Sequence, residues 1–179
     1  MTEPVSDRKG KFPIGWGGGS KYRSDYEVGT DRKISHTGHA SGYVRSRTSK
    51  PRDFATLMQA FGAEEYRGKR LQMTAYVKAE KIKNWAGLWM RVDGVYGRTL
   101  SFDNMQSRPI KGTCGWTKHA IVLDVPDEST TITFGVLLHG QGRLWVDDFE
   151  LRPVTTEVPA TGRPRPAYPE QPRNLDFQE

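Results

Sequence analysis

The chain has 179 residues, a length that suits one domain, and its hydrophobic content of 35% together with 19 glycines is ordinary for a globular protein. The net charge of +6 is dispersed along the sequence, so it does not by itself indicate a nucleic-acid partner. The single cysteine, Cys114, excludes an intrachain disulfide, and no apolar run approaches the ~18 residues of a membrane helix. The N-terminus also lacks an apolar leader segment, so we expect a cytoplasmic protein that does not contact a membrane.

The N-terminal part of the chain predicts a mobile start followed by short strands. Residues 1–11 are polar and charged, and we expect them to be mobile. Residues 12–20 are rich in glycine and predict a flexible loop that leads into the domain. The first two strands are predicted at residues 26–32 and 41–47.

Residues 53–61 are ambiguous. Phe54, Leu57, Met58 and Phe61 fit the spacing of a helix, and Asp53 could cap it. The run is short, however, and nothing on either side supports a helix.

The middle of the chain contains the clearest strand pattern. Residues 69–80 and 86–92 alternate apolar and polar side chains with a period of two, which is typical of half-buried strands. In the second run Leu88 and Met90 are predicted to face inward, whereas Trp89 and Arg91 face outward. Further strands are predicted at residues 98–103, 117–125, 130–139 and 143–154.

The arrangement of these strands favours a β-sandwich or jelly roll, because no helices alternate with them. Residues 144–151 form the closing strand after a glycine-rich turn. Residues 153–172 contain six prolines and few large apolar side chains, so they predict an extended linker.

Several short motifs follow one another over about residues 15–151: Gly15-Trp16, Tyr26, Asp31, Gly38, Ser46, Gln59, Tyr66-Arg67-Gly68-Lys69, Trp116 and Trp145-Val146-Asp147-Asp148. Their order resembles the 4/9-type carbohydrate-binding modules, which have the galactose-binding-like jelly-roll fold. This resemblance implies an all-β, single-domain β-sandwich jelly roll over residues 12–152, with a turn at residues 52–55 and a strand at residues 57–63.

Three segments resemble a narrower group of small stand-alone bacterial proteins, which often carry the label of AraC-type transcriptional regulator. The segments are residues 84–93, 102–112 and 174–177. The sequence contains no pair of short helices joined by a glycine turn, as a helix-turn-helix requires, so what this resemblance implies is a transcription-associated ligand sensor.

The candidate binding site consists of seven polar and aromatic residues. In a jelly roll the second face of the inner strands forms a concave groove, where tryptophan offers a flat apolar surface and arginine a fork for carboxylate or phosphate. We therefore predict non-catalytic binding of a carbohydrate or a small polar or planar ligand. The residues are Trp85, Trp89, Arg91, Asp103, Asn104, Arg108 and His139.

Three alternatives to this binding role remain open. Trp89 could pack under a loop while Arg91 pairs with Asp103 for structure alone. Some jelly rolls of this type act as cyclases, so the chain could be a biosynthetic cyclase or isomerase in which Asp103 is the acid and Arg91 orients the substrate. The third alternative is weak nucleic-acid binding by the basic residues 45–52, which is less favoured because exposed aromatic residues are not interleaved with them beyond Tyr43.

No cofactor is predicted, although related modules often hold a structural Ca²⁺. Asp148 is the candidate ligand, because carboxylate oxygens suit this ion. The alternative is that the Asp148 carboxylate binds a neighbouring loop. Neither a phosphate-binding glycine loop nor a zinc-ligand spacing is present.

The C-terminal residues 173–179 contain Asn174-Leu175-Asp176-Phe177, which resembles the opening strand of the related modules. We expect Leu175 and Phe177 to insert into a sheet edge that lacks its first strand. The insertion could occur within one chain or into a neighbour, which would give a strand-swapped homodimer.

Overall fold

The computed structural model describes residues 12–162 and Leu175. These residues contain no α-helix, and none of their helical turns is long and apolar enough to cross a membrane. They form nine strands: β1 (Trp16–Ser20), β2 (Tyr26–Asp31), β3 (Ser41–Ser46), β4 (Phe54–Gly62), β5 (Lys69–Gly94), β6 (Thr99–Asp103), β7 (Ile110–Val125), β8 (Ser129–His139) and β9 (Arg143–Val154). Two short 3-10 turns, Glu64–Tyr66 and Val95–Gly97, flank β5.

All the strand pairs are antiparallel, and the main path runs in the order β1-β4-β8-β5-β9-β3-β2. Strand β5 is continuous over 26 residues and joins two layers. Its residues 85–94 pair with β8 and residues 90–93 with β6, whereas residues 70–80 pair with β9 and residues 69–86 with β7. The first layer is therefore β1, β4, β8, β6 and the second half of β5, and the second layer is β2, β3, β9, β7 and the first half of β5.

The core lies between the two layers and follows from the alternation in β5. The predicted inward positions are fully buried in both halves, and the backbone between the halves bends at Lys81, which has a positive φ of 53°. The fold class predicted from the sequence is confirmed: the protein is an all-β jelly roll. The buried side chains of β5 are Leu71, Met73, Ala75, Val77, Ala79, Ile82, Ala86, Leu88, Met90 and Val92.

One segment near the N-terminus differs from the expectation, and in a second, ambiguous one the strand implied by the resemblance is present. The glycine-rich residues 16–20, predicted as a flexible loop, form strand β1, which pairs with β4 from Trp16 opposite Gln59 to Ser20 opposite Ala55. The ambiguous residues 53–61 belong to a strand rather than a helix. Asp53 has a positive φ of 59° and directly precedes β4, which pairs on both sides and is therefore extended.

Strand β9 contains a bulge that the simple alternation does not predict. Asp147 lies opposite Tyr76 and Glu150 lies opposite Thr74, so β9 has one residue more than β5 between these pairs. Asp148 is the extra residue and has a positive φ of 52°. The bulge places Phe149, rather than Asp148, against the core.

The start of the predicted linker packs on the domain. Strand β9 extends to Val154, and the Arg70 guanidinium donates to the carbonyl oxygens of Thr156 and Val158. Thr161 N–H donates to the carbonyl of Val122, which fixes the chain against β7. Backbone groups held by hydrogen bonds to the sheet do not behave as an extended linker, so the domain reaches at least residue 162.

The segment expected to return to a sheet edge falls almost entirely outside the described residues. Asn174, Asp176 and Phe177 are not described, and the side chain of Leu175 is 75% exposed. Its insertion into an edge, within one chain or between two, stays a prediction.

The inward face of β5 makes a direct prediction about stability. Leu88→Ala and Met90→Ala should each lower the free energy of unfolding by about 2–5 kcal/mol, because each removes a fully buried large side chain. Lys83→Ala, at an exposed position of the same strand, is the control and should change it by less than about 0.5 kcal/mol. Urea unfolding measures all three, and similar values for all of them would contradict the face assignment.

Candidate functional site

The outer face of the first layer carries a row of three aromatic side chains. His139 of β8 lies opposite Phe54 of β4 on one side and opposite Trp85 of β5 on the other. Residues in register on neighbouring strands point to the same face, so the three rings lie side by side across the sheet. The Trp85 and His139 rings are nearly parallel, at 17°, with centroids 6.2 Å apart, and Phe54 is 44% exposed. We call these three residues the aromatic row.

A cleft of about 630 Å³ adjoins the aromatic row. Phe54, Thr56 and Met58 alternate along β4 and line one side of the cleft, and the backbone of Gly18 and Gly19 in β1 lines another part. Lys21 and Arg23 stand at its margin. The cleft therefore combines exposed apolar surface with nearby positive charge.

Trp89 lies on the predicted outer face but is only 9% exposed. Its register partner in β8 is Gly135, and its indole Nε1 donates a 2.8 Å hydrogen bond to Thr56 Oγ1 in β4, the strand beyond β8. The indole therefore reaches across β8 at a position that has no side chain. This arrangement favours the packing alternative for Trp89 over an exposed stacking surface.

Arg91 lies on the same outer face, two residues beyond Trp89. Its Nε donates to Asp93 Oδ2 at 2.8 Å, and its register partner in β6 is Phe102, which is 41% exposed. Trp85 and Arg91 are six residues apart, so the face extends about 20 Å between them.

Asp103 does not meet Arg91. It lies opposite Met90, whose side chain faces the core, so the alternation of the strands puts Asp103 on the other side of the sheet from Arg91. Its carboxylate accepts hydrogen bonds from Arg108 Nη2 at 2.6 Å and from Thr161 Oγ1 at 2.5 Å.

The environment of Asp103 keeps its carboxyl group ionised. Burial raises the pKa, but the hydrogen bonds from Arg108, Thr161 and the Met105 N–H outweigh burial and lower the pKa overall. A general acid requires a proton near neutral pH, so this geometry does not favour the acid role.

The seven predicted residues thus fall into two groups. Trp85, Trp89, Arg91 and His139 share the outer face of the first layer, whereas Asp103 and Arg108 form an ion pair on the other side of that layer. Asn104 lies in the loop between β6 and β7, where a Cβ added to Gly87 would come within 2.9 Å of its carbonyl oxygen.

Asp147 and Asp148 fix the turn that precedes β3. Asp147 Oδ2 accepts hydrogen bonds from the His36 and Thr37 N–H groups, and Asp148 accepts from the Thr37 hydroxyl and contacts His36 Nδ1 at 2.6 Å. The hydrogen bonds from Thr37 and His36 lower the pKa of Asp148. Within the described part of the chain, no three His, Cys, Asp or Glu side chains meet as a metal site would require.

A cleft of about 420 Å³ lies on the outer face of the second layer, and the side chains around it bind one another. Lys78 and Arg143 lie over the Trp145 ring, each about 5.4 Å from its centroid, and Trp145 Nε1 donates to Asp31. Basic residues in the predicted 45–52 run are ion-paired: Arg45 and Arg47 with Glu27, and Arg52 with Asp25.

Glu27 is held ionised by this network. The hydrogen bond from the Tyr43 hydroxyl and those from Arg45 lower the pKa of Glu27 to about 2, although burial opposes them. Burial and the same carboxylate raise the pKa of Tyr43 to about 12.

Phe54, Thr56 and Met58 were not among the predicted site residues. The alternation of residues 54–59 was the available signal, but these residues also fit the spacing of a helix. The aromatic row depends on strand register, which brings Phe54 beside a residue 85 positions later.

No known family profile matches the chain. Over 167 residues the chain is 42% identical to a Bacillus subtilis (strain 168) protein described as an uncharacterized HTH-type transcriptional regulator, YbfP. The match covers 92% of this chain and 57% of that protein, so the chain spans little more than half the length of this relative.

The solved structures that resemble this chain share its fold at low sequence identity. The enzymatically active domain of bacteriophage CBA120 tailspike protein 4 aligns with a TM-score of 0.62 and 13% identity, covering 79% of this chain and 20% of that one. The CBM22-1 xylan-binding domain of Paenibacillus barcinonensis Xyn10C gives 0.55 and 15%, covering 78% and 86%. The Stig cyclase Fisc of Fischerella sp. TAU gives 0.54 and 14%, covering 79% and 87%.

The position of Trp89 predicts a structural role for its side chain. Trp89→Ala should lower the free energy of unfolding by about 3–5 kcal/mol, because it removes a nearly buried indole and leaves Thr56 without its donor. Tyr96→Ala, at a fully exposed aromatic residue, is the control and should be near neutral. Thermal and urea unfolding measure both, and a near-neutral Trp89→Ala would show that the indole is dispensable for folding.

Glu27 predicts a pH-dependent contribution to stability. Because its folded pKa lies below its ordinary value of 4.5, its contribution is complete above about pH 4.5 and is lost as the pH falls toward 2. The melting temperature of the wild-type protein should exceed that of Glu27→Gln at pH 6, and the difference should shrink between pH 4.5 and about 2. A difference that is constant with pH would contradict this assignment.

Proposed function

We propose that the outer face of the first layer binds a carbohydrate or a similar small polar ligand without catalysis. The observation that carries this proposal is the aromatic row, Phe54, His139 and Trp85, beside a cleft of about 630 Å³. A volume of this size is typical of ligand sites. Exposed aromatic surface beside such a cleft is a further mark of a binding site.

The chemistry of the face suits a ligand that has both apolar and polar groups. Aromatic rings offer flat apolar surface to the C–H face of a sugar ring. Lys21, Arg23 and Asn84 stand nearby as hydrogen-bond donors, and Asn84 Nδ2 lies 3.5 Å from His139 Nδ1. At the far end of the face, the Arg91 guanidinium and the Phe102 ring lie side by side and again offer a donor next to a ring.

The structural relatives support this class of ligand. The Paenibacillus relative is described as a xylan-binding domain, and a Clostridium thermocellum Xyn10B structure with CBM22-1 and GH10 modules, of which this chain covers 27%, was determined with xylohexaose. Sequence identity to these proteins is only 14–15%, so the proposal for this chain depends on its own aromatic row.

Catalysis is the less favoured alternative. The cyclase relative raises it, but Asp103, the acid expected from the sequence, is ion-paired with Arg108 and lies away from Arg91. In the outer-face cleft the described residues present rings, glycines and cations, and no carboxylic acid lines it.

A second candidate role is that of a ligand-sensing module associated with transcription. The observation that favours it is the 42% identity to the Bacillus protein named as an HTH-type regulator. Residues 12–162 contain no α-helix, so in this role they would bind the ligand and would not read DNA through a helix-turn-helix.

The aromatic row provides the test of the proposed site. Titration calorimetry with xylohexaose, and with a panel of neutral and acidic oligosaccharides, should detect binding by the full chain without any change in the saccharide. Phe54→Ala and Trp85→Ala should each weaken binding at least tenfold, because each removes one ring of the row.

Tyr96→Ala is the matched control, since it removes an exposed ring that lies outside the row. It should bind as the wild type does. If no saccharide of the panel binds, or if binding survives both substitutions in the row, the proposal is wrong.

A further inference from the structure

A separate cavity of about 410 Å³ lies between the two layers, where β1, β4 and β9 meet. Residues of both layers line it, and it shares no lining residue with the cleft on the outer face. We call it the interlayer cavity. Its lining residues are Pro13, Trp16, Thr30, Ala40, Ser41, Gly42, Leu57, Gln59, Phe134, Val146, Asp147, Asp148, Phe149 and Leu151.

Three aromatic rings from three different strands form the main wall of the interlayer cavity. Trp16 of β1 lies 5.5 Å from Phe134 of β8 and 5.2 Å from Phe149 of β9, and the two phenylalanine rings are 5.4 Å apart. Phe134 is buried, whereas Trp16 and Phe149 are half-buried. The wall is therefore preformed, and part of its ring surface is accessible from the cavity.

The bulge in β9 creates this wall. The extra residue, Asp148, shifts the alternation by one position and turns the Phe149 ring inward toward Trp16. Without the bulge, a carboxylate would occupy the inward position and the third ring would face outward. The bulge therefore determines that an aromatic ring, and not a carboxylate, forms this part of the cavity wall.

Gln59 provides an uncharged polar group beside the three rings. It alternates with Met58 along β4, so it faces inward while Met58 lines the outer-face cleft. No hydrogen bond from its carboxamide to another described residue is found, and its polar atoms are not buried. A carboxamide whose polar atoms are accessible can donate a hydrogen bond to one ligand atom and accept one from another.

The charges around the cavity restrict the ligand further. Asp147 and Asp148 are among its lining residues, and no lysine or arginine is. The Asp147 carboxylate is held by backbone N–H groups and has no ion-pair partner among the described residues. An anionic ligand is therefore disfavoured at this end of the sandwich.

We propose that the interlayer cavity is a second binding site, which takes a small, uncharged, planar molecule with one hydrogen-bonding group. The planar part lies against Trp16 and Phe149, and the polar group pairs with the Gln59 carboxamide. The volume of the cavity is within the usual range of small-molecule sites, which is about 300–1,000 Å³. This site does not depend on carbohydrate binding at the outer face.

The experiment uses the full chain with two matched probes, naphthalene-2-carboxamide and naphthalene-2-carboxylate. Calorimetry measures affinity, and the NMR signal of the Trp16 indole N–H reports the location. The neutral carboxamide should bind and shift the Trp16 signal, and the carboxylate should bind at least tenfold more weakly. Xylohexaose, added in excess, should not displace the carboxamide.

Two variants test the contacts separately. Leu151→Trp adds a ring at the half-buried lining position and should weaken binding of the carboxamide at least tenfold, whereas Glu150→Gln, the exposed neighbour on the same strand, should bind as the wild type does. Gln59→Leu keeps the volume and removes the polar group. It should weaken the carboxamide about tenfold and leave the affinity for unsubstituted naphthalene unchanged.

The proposal is overturned if the carboxamide leaves the Trp16 signal unmoved up to its solubility limit, or if Gln59→Leu binds the carboxamide as the wild type does. If Leu151→Trp shows no cooperative melting transition, Gln59→Leu alone decides. Failure of xylohexaose to bind would count against the outer-face site only, so the two proposals fail independently.

Discussion

The whole structure depends on one alternation of side chains that β5 carries through its bend at Lys81. The inward residues before the bend pack in the second layer, and those after it pack in the first, so a single strand supplies the core to both sheets. A shift of register by one residue would turn every one of these side chains outward. The outer face of each layer, where ligands can be met, is fixed by the same alternation.

The alternation was visible in the sequence, and for this reason most of the strands, the fold class and the two faces of β5 were predicted correctly, whereas the glycine-rich β1 was predicted as a loop. What the sequence did not reveal is which strands become neighbours. His139 lies between Phe54 and Trp85 only because β8 separates β4 from β5, and Asp103 faces away from Arg91 only because it is in register with Met90. Such pairings depend on long-range contacts, which a periodicity does not encode.

Irregular backbone was equally invisible to pattern analysis. The bulge at Asp148 turns Phe149, rather than Asp148, toward the core. The first residues of the proline-rich segment bind the sheet through Thr161 rather than extending into solvent. Both features depend on single hydrogen bonds or on one left-handed residue. They nevertheless decide which rings line the interlayer cavity and which groups donate hydrogen bonds to the Asp103 carboxylate.

The charged residues near the candidate sites mostly bind one another. Arg91 binds Asp93, Arg108 binds Asp103, and Glu27 binds two arginines. Ion pairs of this kind resist rearrangement, because a ligand that takes one partner leaves the other uncompensated. Both proposed sites therefore offer ring surfaces and uncharged polar groups as their main contacts.

The hydrogen bond from Trp89 to Thr56 has a consequence for the thermodynamics of any ligand on the outer face. It joins β5 to β4 across β8, so these strands cannot slide past one another without breaking it. A surface that is already rigid loses little conformational entropy on association, and more of the contact energy then appears as affinity. The buried indole would thus serve binding without touching the ligand, by keeping the neighbouring rings at fixed spacing.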